Sequence, residues 1–249
     1  MAIILFDNDG TLVGGKANAE NYNSAMQEAI SQKFGIRPVV DLDQYHGFTD
    51  MLVMKDILTK AQKGYDMPAL WECLSLFGNL YPTRPKGLQA IPGVPETIPI
   101  LSKKHNLGLL TGNVEEMARK KLGVCFTDVG RPLDHYFLFG GFGGTDMHKV
   151  REDLFPIALD KAKRLGYTVE GNVYLIDDAP RGLSAAVKAQ ALLTPDRGFY
   201  LPTKIIPVGI TTGIYEDPEE LKSVRGVSHV ISNMKELPDL VDRLEAMAA

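Results

Sequence analysis

The sequence predicts an α/β fold: a doubly wound, Rossmann-like parallel sheet with an α-helical cap domain inserted after the first strand. Three observations predict it. From residue 87 onward, short apolar runs bounded by turn residues alternate with helical periodicity. Residues 16–86 carry helical periodicity throughout, with no buried strand. Three of the apolar runs end on polar groups: "DND", "TGN" and "DD". Strands alternating with helices imply parallel pairing through crossovers. The core domain is then 1–15 with 87–249, and the cap domain is 16–86.

The elements follow in order. "AIILF" (2–6) is short, rich in Ile and apolar on both faces, as a fully buried strand is. Gly14 and Gly15 form a break or hinge. Tyr22, Met26, Ala29, Ile30 and Phe34 recur at helical spacing, and "FGIRP" stops that helix. "YHGFTD" (45–50) is a loop, with Thr49 or Asp50 placed to cap the helix "MLVMKDILTKAQ". Pro68 opens a third helix to Leu80. Trp71, Tyr65, Met51, Met54 and Met67 are expected in the cap core. "YPTRPKGLQAIPGVPE" is dense in Pro and Gly and marks the boundary. "PGVPETIPILSKKH" has a helical pattern that Pro99 should kink or restart. Strands are expected at 107–111, 136–140, 173–176, 205–210 and 228–231. Helices are expected at 114–122, 153–165 with Asp153 as N-cap, 180–190 and 235–247. Residues 192–204 read as an insertion before a strand.

Composition bounds the function. The 249 residues are 45% apolar and 23% charged, with net charge −4 and no long basic run. That is the profile of a soluble globular chain and argues against a nucleic-acid footprint. Two cysteines, Cys73 and Cys125, are too few for a disulfide scaffold, so a reduced, cytoplasmic location is expected. Asp7 and Asp9 cut the first apolar run, and no stretch reaches the ~18 apolar residues of a membrane span. The expected assembly is a monomer or homodimer. His105, His135, His148 and His229 show no ligand spacing.

Asp7 and Asp9 stand two residues apart at the end of a buried strand, and Asp177 and Asp178 end another. Ligands of open parallel sheets bind beyond the carboxyl ends of the strands. Four carboxylates converging there repel one another unless a cation joins them. Oxygen donors alone point to a hard ion, Mg²⁺ before Zn²⁺.

"FDNDGTLV" resembles the first motif of the haloacid dehalogenase superfamily, D-x-D-G-T followed by Leu or Val. "LLTGN" and "LIDDAP" resemble its second and fourth motifs, and order, spacing and the place of the helical insertion agree. The resemblance implies Asp7 as the nucleophile and Asp9 as the group that shuttles the proton. It implies Thr111 on the phosphoryl oxygen, helped by backbone N–H groups near Gly112 and Asn113. It implies Mg²⁺ held by Asp7, the Asp9 carbonyl and Asp178, with Asp177 as a further ligand or an orienting group. The third motif usually supplies a Lys. Here Arg151 stands before the helix, with Lys149 nearby. Gly182 stands where the commoner fourth motif has a second acid. In the cap loop His46, Thr49 and Asp50 are candidate substrate contacts.

The resemblance implies a phosphatase of a small phosphorylated metabolite, with 2-phosphoglycolate the leading substrate. A β-phosphoglucomutase-type mutase is the alternative, and a non-catalytic metabolite-binding relative a third reading. Asp9 argues against carbon–halogen cleavage.

Overall fold

The computed structural model describes residues 1–144, 150–169, 171–194, 204–212 and 217–248. Its main sheet holds β1 (Ile3–Phe6), β4 (Asn106–Thr111), β5 (Phe139–Phe142), β6 (Asn172–Asp177), β7 (Lys204–Ile210) and β8 (His229–Ile231), in the order β5-β4-β1-β6-β7-β8. Every pairing in it is parallel. The chain runs outward from β1 to β4 and β5, then returns to β6 on the other side. The order therefore reverses around β1, and a crevice at the carboxyl ends of β4, β1 and β6 is the site such a reversal creates.

The two faces of the sheet explain why β1 is apolar throughout. Ile4 and Phe6 pack into one cluster with α4 (Val94–Leu101) and α9 (Leu237–Ala248). Ile3 and Leu5 pack into the opposite cluster with α6 (Leu154–Arg164) and α7 (Pro180–Ala189). Successive side chains of a strand point to opposite faces, so a strand covered on both sides has no polar position. Full burial of each such side chain contributes about 1.5–3 kcal/mol.

Between β1 and β4 stand α1 (Lys16–Phe34), α2 (Asp50–Lys60) and α3 (Met67–Leu80). Tyr22, Met26, Ala29 and Ile30 of α1 meet Met51, Met54 and Phe77 in a third cluster. Met67 and Trp71 pack at its edge, whereas Tyr65 is exposed and is no part of it. Val114 and Met117, at the start of α5 (Glu115–Gly123), join this cluster, so α5 packs against the cap helices. The chain passes between sheet and cap through two short strands that pair antiparallel, β2 (Val13–Gly14) and β3 (Gln89–Ala90). At two residues each, they give no readable sequence pattern. Gly15 has φ +134°, and a Cβ on it would lie 2.0 Å from the Gly87 carbonyl.

Three local expectations need correction. The strand expected at 136–140 is shifted: Leu133–Tyr136 is a 3-10 turn and the strand is Phe139–Phe142. Its Gly140 and Gly141 serve close approach rather than a turn. A Cβ would lie 2.7 Å from the Leu109 carbonyl and 2.4 Å from the Leu154 carbonyl, respectively. Asp153 does not cap α6. It lies in helical backbone at the end of the 3-10 turn Arg151–Asp153, and its side chain accepts no cap bond. Pro99 neither ends nor restarts α4. The Pro95 carbonyl that loses its intrahelical partner accepts the Asp128 N–H at 3.3 Å.

Candidate active site

Asp7 follows β1 directly, and its N–H donates to the Ile176 carbonyl at 2.9 Å, prolonging the strand pairing by one step. The chain then turns sharply. The N–H groups of Leu12 and Val13 both donate to the Asn8 carbonyl, at 2.9 and 3.0 Å. Gly10 sits in this turn at φ +83°, and a Cβ there would lie 2.1 Å from an Asp178 carboxylate oxygen. Glycine is thus required twice, by the backbone and by its neighbour. Thr11 donates its hydroxyl to Asp178 Oδ1 at 3.0 Å, and Thr212 donates to the Gly10 carbonyl at 2.8 Å.

β6 delivers the other acids. Asp177 and Asp178 are buried, and one oxygen from each lies within 4.8 Å of the other and of one from Asp7. Burial pushes the Asp178 carboxyl well up, and the charges of Asp177 and Asp7 push the same way. Burial also raises Asp177, which Arg151 partly counters. The oxygen-only donor set fits a hard divalent cation. The three acids are buried together, and their mutual repulsion is offset in part by Arg151.

Arg151 reaches this group from the turn before α6. Its Nη2 lies 2.9 Å from Asp7 Oδ1 and 2.6 Å from Asp177 Oδ2. Burial works against the guanidinium charge, and Asp177 and Asp7 more than offset it. Its Nε is buried without a hydrogen-bond partner among the described residues. Asp177 also accepts the Ala179 N–H at 2.9 Å, so it orients Arg151 more than it opens toward a cation. Gly182 now has a reason. A Cβ there would stand 2.0 Å from Asp177 Oδ2, so an acid at 182 collides with the acid at 177.

Asp9 lines the same cavity as Asp7 and Asp178 but takes its partners from outside the acid trio. Its Oδ2 is 2.6 Å from Lys121 Nζ, and its Oδ1 accepts Asn18 Nδ2 at 2.8 Å. Sequence reasoning missed Lys121. The signal was there: in α5 it shares the buried stripe of Met117, Ala118 and Leu122, and a Lys in such a stripe needs a partner. Thr11, Asn18 and Thr212 were missed as well, since their partners are not readable from local pattern.

Thr111 ends β4, buried, and its hydroxyl oxygen accepts the Asn113 N–H at 3.3 Å. Asn113 faces inward, its Oδ1 accepting from Lys121 Nζ at 2.9 Å. Gly112 and Asn113 both border the site cavity beside Asp7 and Thr111. Gly112 carries a close crossing: a Cβ there would lie 2.1 Å from the Phe48 carbonyl. Cap and sheet are therefore in contact across "TGN". Thr49 is fully buried as the N-cap of α2, accepting the Leu52 N–H at 3.4 Å, so it caps rather than projects as a substrate contact. Asp50 is a latch. Its N–H donates to the Gly112 carbonyl at 2.8 Å, and its carboxylate accepts the Val114 N–H at 2.7 Å and the Tyr22 hydroxyl at 2.8 Å. Burial pushes Asp50 up to about 7, against those two hydrogen bonds and Lys121 and with Asp9. His46 lies on the wall of the site cavity, beside Gly47 and Phe48. Lys149 and His148 lie outside the described residues, as does most of 192–204.

The cavity between sheet and cap has a volume of about 670 Å³ and contains Asp7, Asp9, Thr111, Arg151 and Asp178 on its floor side and Tyr22, Tyr45 and Val53 on its cap side. Cys73 and Cys125 are free and buried, their thiols pushed up to about 12 and about 11, so both are core residues. No helix among the described residues is long and apolar enough to cross a membrane.

No family model and no curated protein matches the chain by sequence. Solved structures do match by shape. A haloacid dehalogenase hydrolase of family IA, variant 3, from Entamoeba histolytica aligns with TM-score 0.62 at 16% identity, over 98% of this chain and 100% of that one. A predicted phosphoglycolate phosphatase from Haemophilus somnus aligns with TM-score 0.61 at 16% identity, over 96% and 97%. CbbY from Rhodobacter sphaeroides, in complex with phosphate, aligns with TM-score 0.60 at 19% identity, over 95% of each chain. The chain shares the overall fold of these structures over nearly its whole length.

Proposed function

We propose that this chain is a phosphatase of a small phosphorylated metabolite, acting through an aspartyl-phosphate on Asp7 and taking Mg²⁺. The observation that carries the reading is the buried trio Asp7, Asp177 and Asp178, bridged by Arg151 from Asp7 to Asp177. Phosphoryl transfer is mostly positioning and charge stabilisation, and this arrangement offers both.

Asp7 attacks phosphorus. The bond to the ester oxygen breaks, its electron pair leaves with that oxygen, and Asp9 supplies the proton. Water then attacks phosphorus and gives a proton to Asp9. The bond to Asp7 breaks, returning the carboxylate and releasing inorganic phosphate. Arg151 offsets charge on Asp7 and on the phosphoryl oxygens, and Thr111 donates its hydroxyl to one of them. Mg²⁺, when bound, would supply further charge neutralisation for phosphoryl transfer. Asp7, Asp178 and the Asp9 backbone carbonyl would hold it. Among small phosphomonoesters, 2-phosphoglycolate is our leading candidate, supported by the resemblance in motif pattern. The cavity of about 670 Å³ also admits a hexose phosphate, which supports a mutase as the second reading.

The experiment is phosphate release from a panel of small phosphomonoesters with Mg²⁺, with excess EDTA, and with Asp7→Asn protein. Metal-dependent release that vanishes in the variant is expected. Release that survives Asp7→Asn sinks the mechanism. A hexose 1-phosphate converted to its 6-phosphate isomer without net phosphate release establishes the mutase.

A further inference from the structure

A second cavity, of about 790 Å³, adjoins the site cavity across the cap loop. His46, Gly47, Phe48 and Arg151 border both. Asp7, Thr111 and Asp178 border the site cavity and not this one. The second cavity is cationic. α7 reads "PRGLSAAVKA" and carries no acid. Its Arg181, Ser184 and Lys188 recur at helical spacing, so they share one face, and all three border the cavity. Leu183, Ala186 and Ala189 hold the opposite face in the core. Arg225 joins them from the turn after α8 (Pro218–Lys222). Gly226, at φ +93°, brings that turn against α7: a Cβ there would lie 3.1 Å from Val187 Cγ2. Against Arg181, Lys188 and Arg225 the described lining offers one acid, Glu152. None of the three cations has an ion pair among the described residues. Arg119 and Arg164, by contrast, each pair with an acid one turn earlier on their own helix.

Arg181 is held ready for an anion. Its guanidinium carbon lies 3.8 Å from the Phe48 ring centroid. Gly47, at φ +71°, makes the room, since a Cβ there would lie 2.8 Å from Arg181 Cβ. A guanidinium stacked on a ring keeps its in-plane N–H donors, and their fork matches phosphate oxygens. Arg151, at the shared wall, has a buried Nε with no hydrogen-bond partner among the described residues. Phe48, Leu52 and Val224 add apolar lining. A cavity of this size takes a whole small organic molecule rather than a bare ion.

We propose that this cavity is a second binding site, apart from the catalytic one, that takes an organic phosphate monoester. Arg181, Lys188 and Arg225 hold the phosphate dianion, and Phe48, Leu52 and Val224 cover the organic part. The site uses no metal, and it does not depend on the chemistry of Asp7.

The test is calorimetric titration of the whole chain with phenyl phosphate and with inorganic phosphate, in excess EDTA so that metal-dependent binding and turnover are absent. Wild-type protein is expected to bind phenyl phosphate at least about tenfold more tightly than inorganic phosphate, the apolar lining making the difference. In the double variant Lys188→Met, Arg225→Met, the Kd for both ligands is expected to rise at least about tenfold through loss of charge-assisted contacts. Both residues are exposed, so this variant should melt like wild type. If it melts early, Lys188→Gln alone carries the comparison. Lys222→Met removes an exposed lysine outside the cavity and should leave binding unchanged. No binding by wild type overturns the proposal. So does equal binding by the double variant, or an equal loss in Lys222→Met. Inorganic phosphate bound as tightly as the ester overturns the assignment of an organic ligand. Failure of the chain to release phosphate from any ester would remove the phosphatase reading and leave this result standing, because turnover is not what is read.

Discussion

Gly182 and Asp177 show how one residue dictates another. The Asp177 carboxylate lies where a Cβ of residue 182 would be, turned there by Arg151 and by the Ala179 N–H. Gly182→Ala must therefore displace Asp177 or the start of α7. It is expected to cost about 1–3 kcal/mol, the scale of forcing extra atoms into a packed site, and to reduce phosphate release. Thermal melting and turnover check it, and an unchanged Tm would show that the site absorbs the extra carbon freely. Asp50 gives a second prediction. Burial raises its folded pKa to about 7 from 3.8, so between those values the folded state binds the proton and the unfolded state does not. Its contribution to stability is present at low pH and is lost as pH rises toward 7. Tyr22, Lys121 and Asp9 are the titratable groups that act on it. Asp50→Asn keeps the shape without the charge. Its Tm relative to wild type should be higher at pH 8 and converge with it near pH 4, by about 2–4 °C per kcal/mol recovered. A difference that does not change with pH would refute this account.

At the level of helices and strands, the helices and the inner strands were legible because burial on both faces, or a 3.6-residue stripe, leaves a direct imprint on residue type. β1, β4 and β6 were read correctly for that reason. β5 was misplaced because the apolar run 136–140 overlaps only the start of the strand Phe139–Phe142, whose Gly140 and Gly141 serve the close approach of Leu109 and Leu154 backbone. β2 and β3 were not read, being two residues each and held only by each other. These short strands are where the cap joins the sheet. Gly15 carries φ +134° with the Gly87 carbonyl 2.0 Å from where a Cβ would be. Gly15→Ala is expected to destabilise the crossing by about 1–3 kcal/mol. Protease cleavage between residues 81 and 90 should become faster, and equal cleavage of variant and wild type would argue against a hinge there.

Across the molecule as one object, the site exists because the sheet order reverses around β1. That reversal brings together positions 7, 111, 151 and 177–178, which lie far apart along the chain. The same convergence concentrates negative charge in a buried place, so a divalent cation should stabilise the folded state. Mg²⁺ at a hundredfold over its Kd is expected to add about 2.7 kcal/mol, seen as a rise in Tm. Asp178→Asn should abolish that rise without lowering the melting temperature in EDTA. A Tm indifferent to Mg²⁺ in the wild-type protein would leave the acid trio without a cation to hold.

Residue order and type were enough to reveal the α/β class, the place of the helical insertion, the three strand ends and the acids on them. Those properties are local: residue type follows burial and periodicity, and a carboxylate ending an apolar strand is visible without knowing its neighbours. The partners emerge only in the folded chain. Folding put Arg151 between Asp7 and Asp177, set Asp50 across the cap boundary, joined Asn113 to Lys121, and paired Asp9 with Lys121 and Asn18. Hydrogen bonds and charge contacts act over a few ångströms, and three-dimensional packing sets which groups come that close.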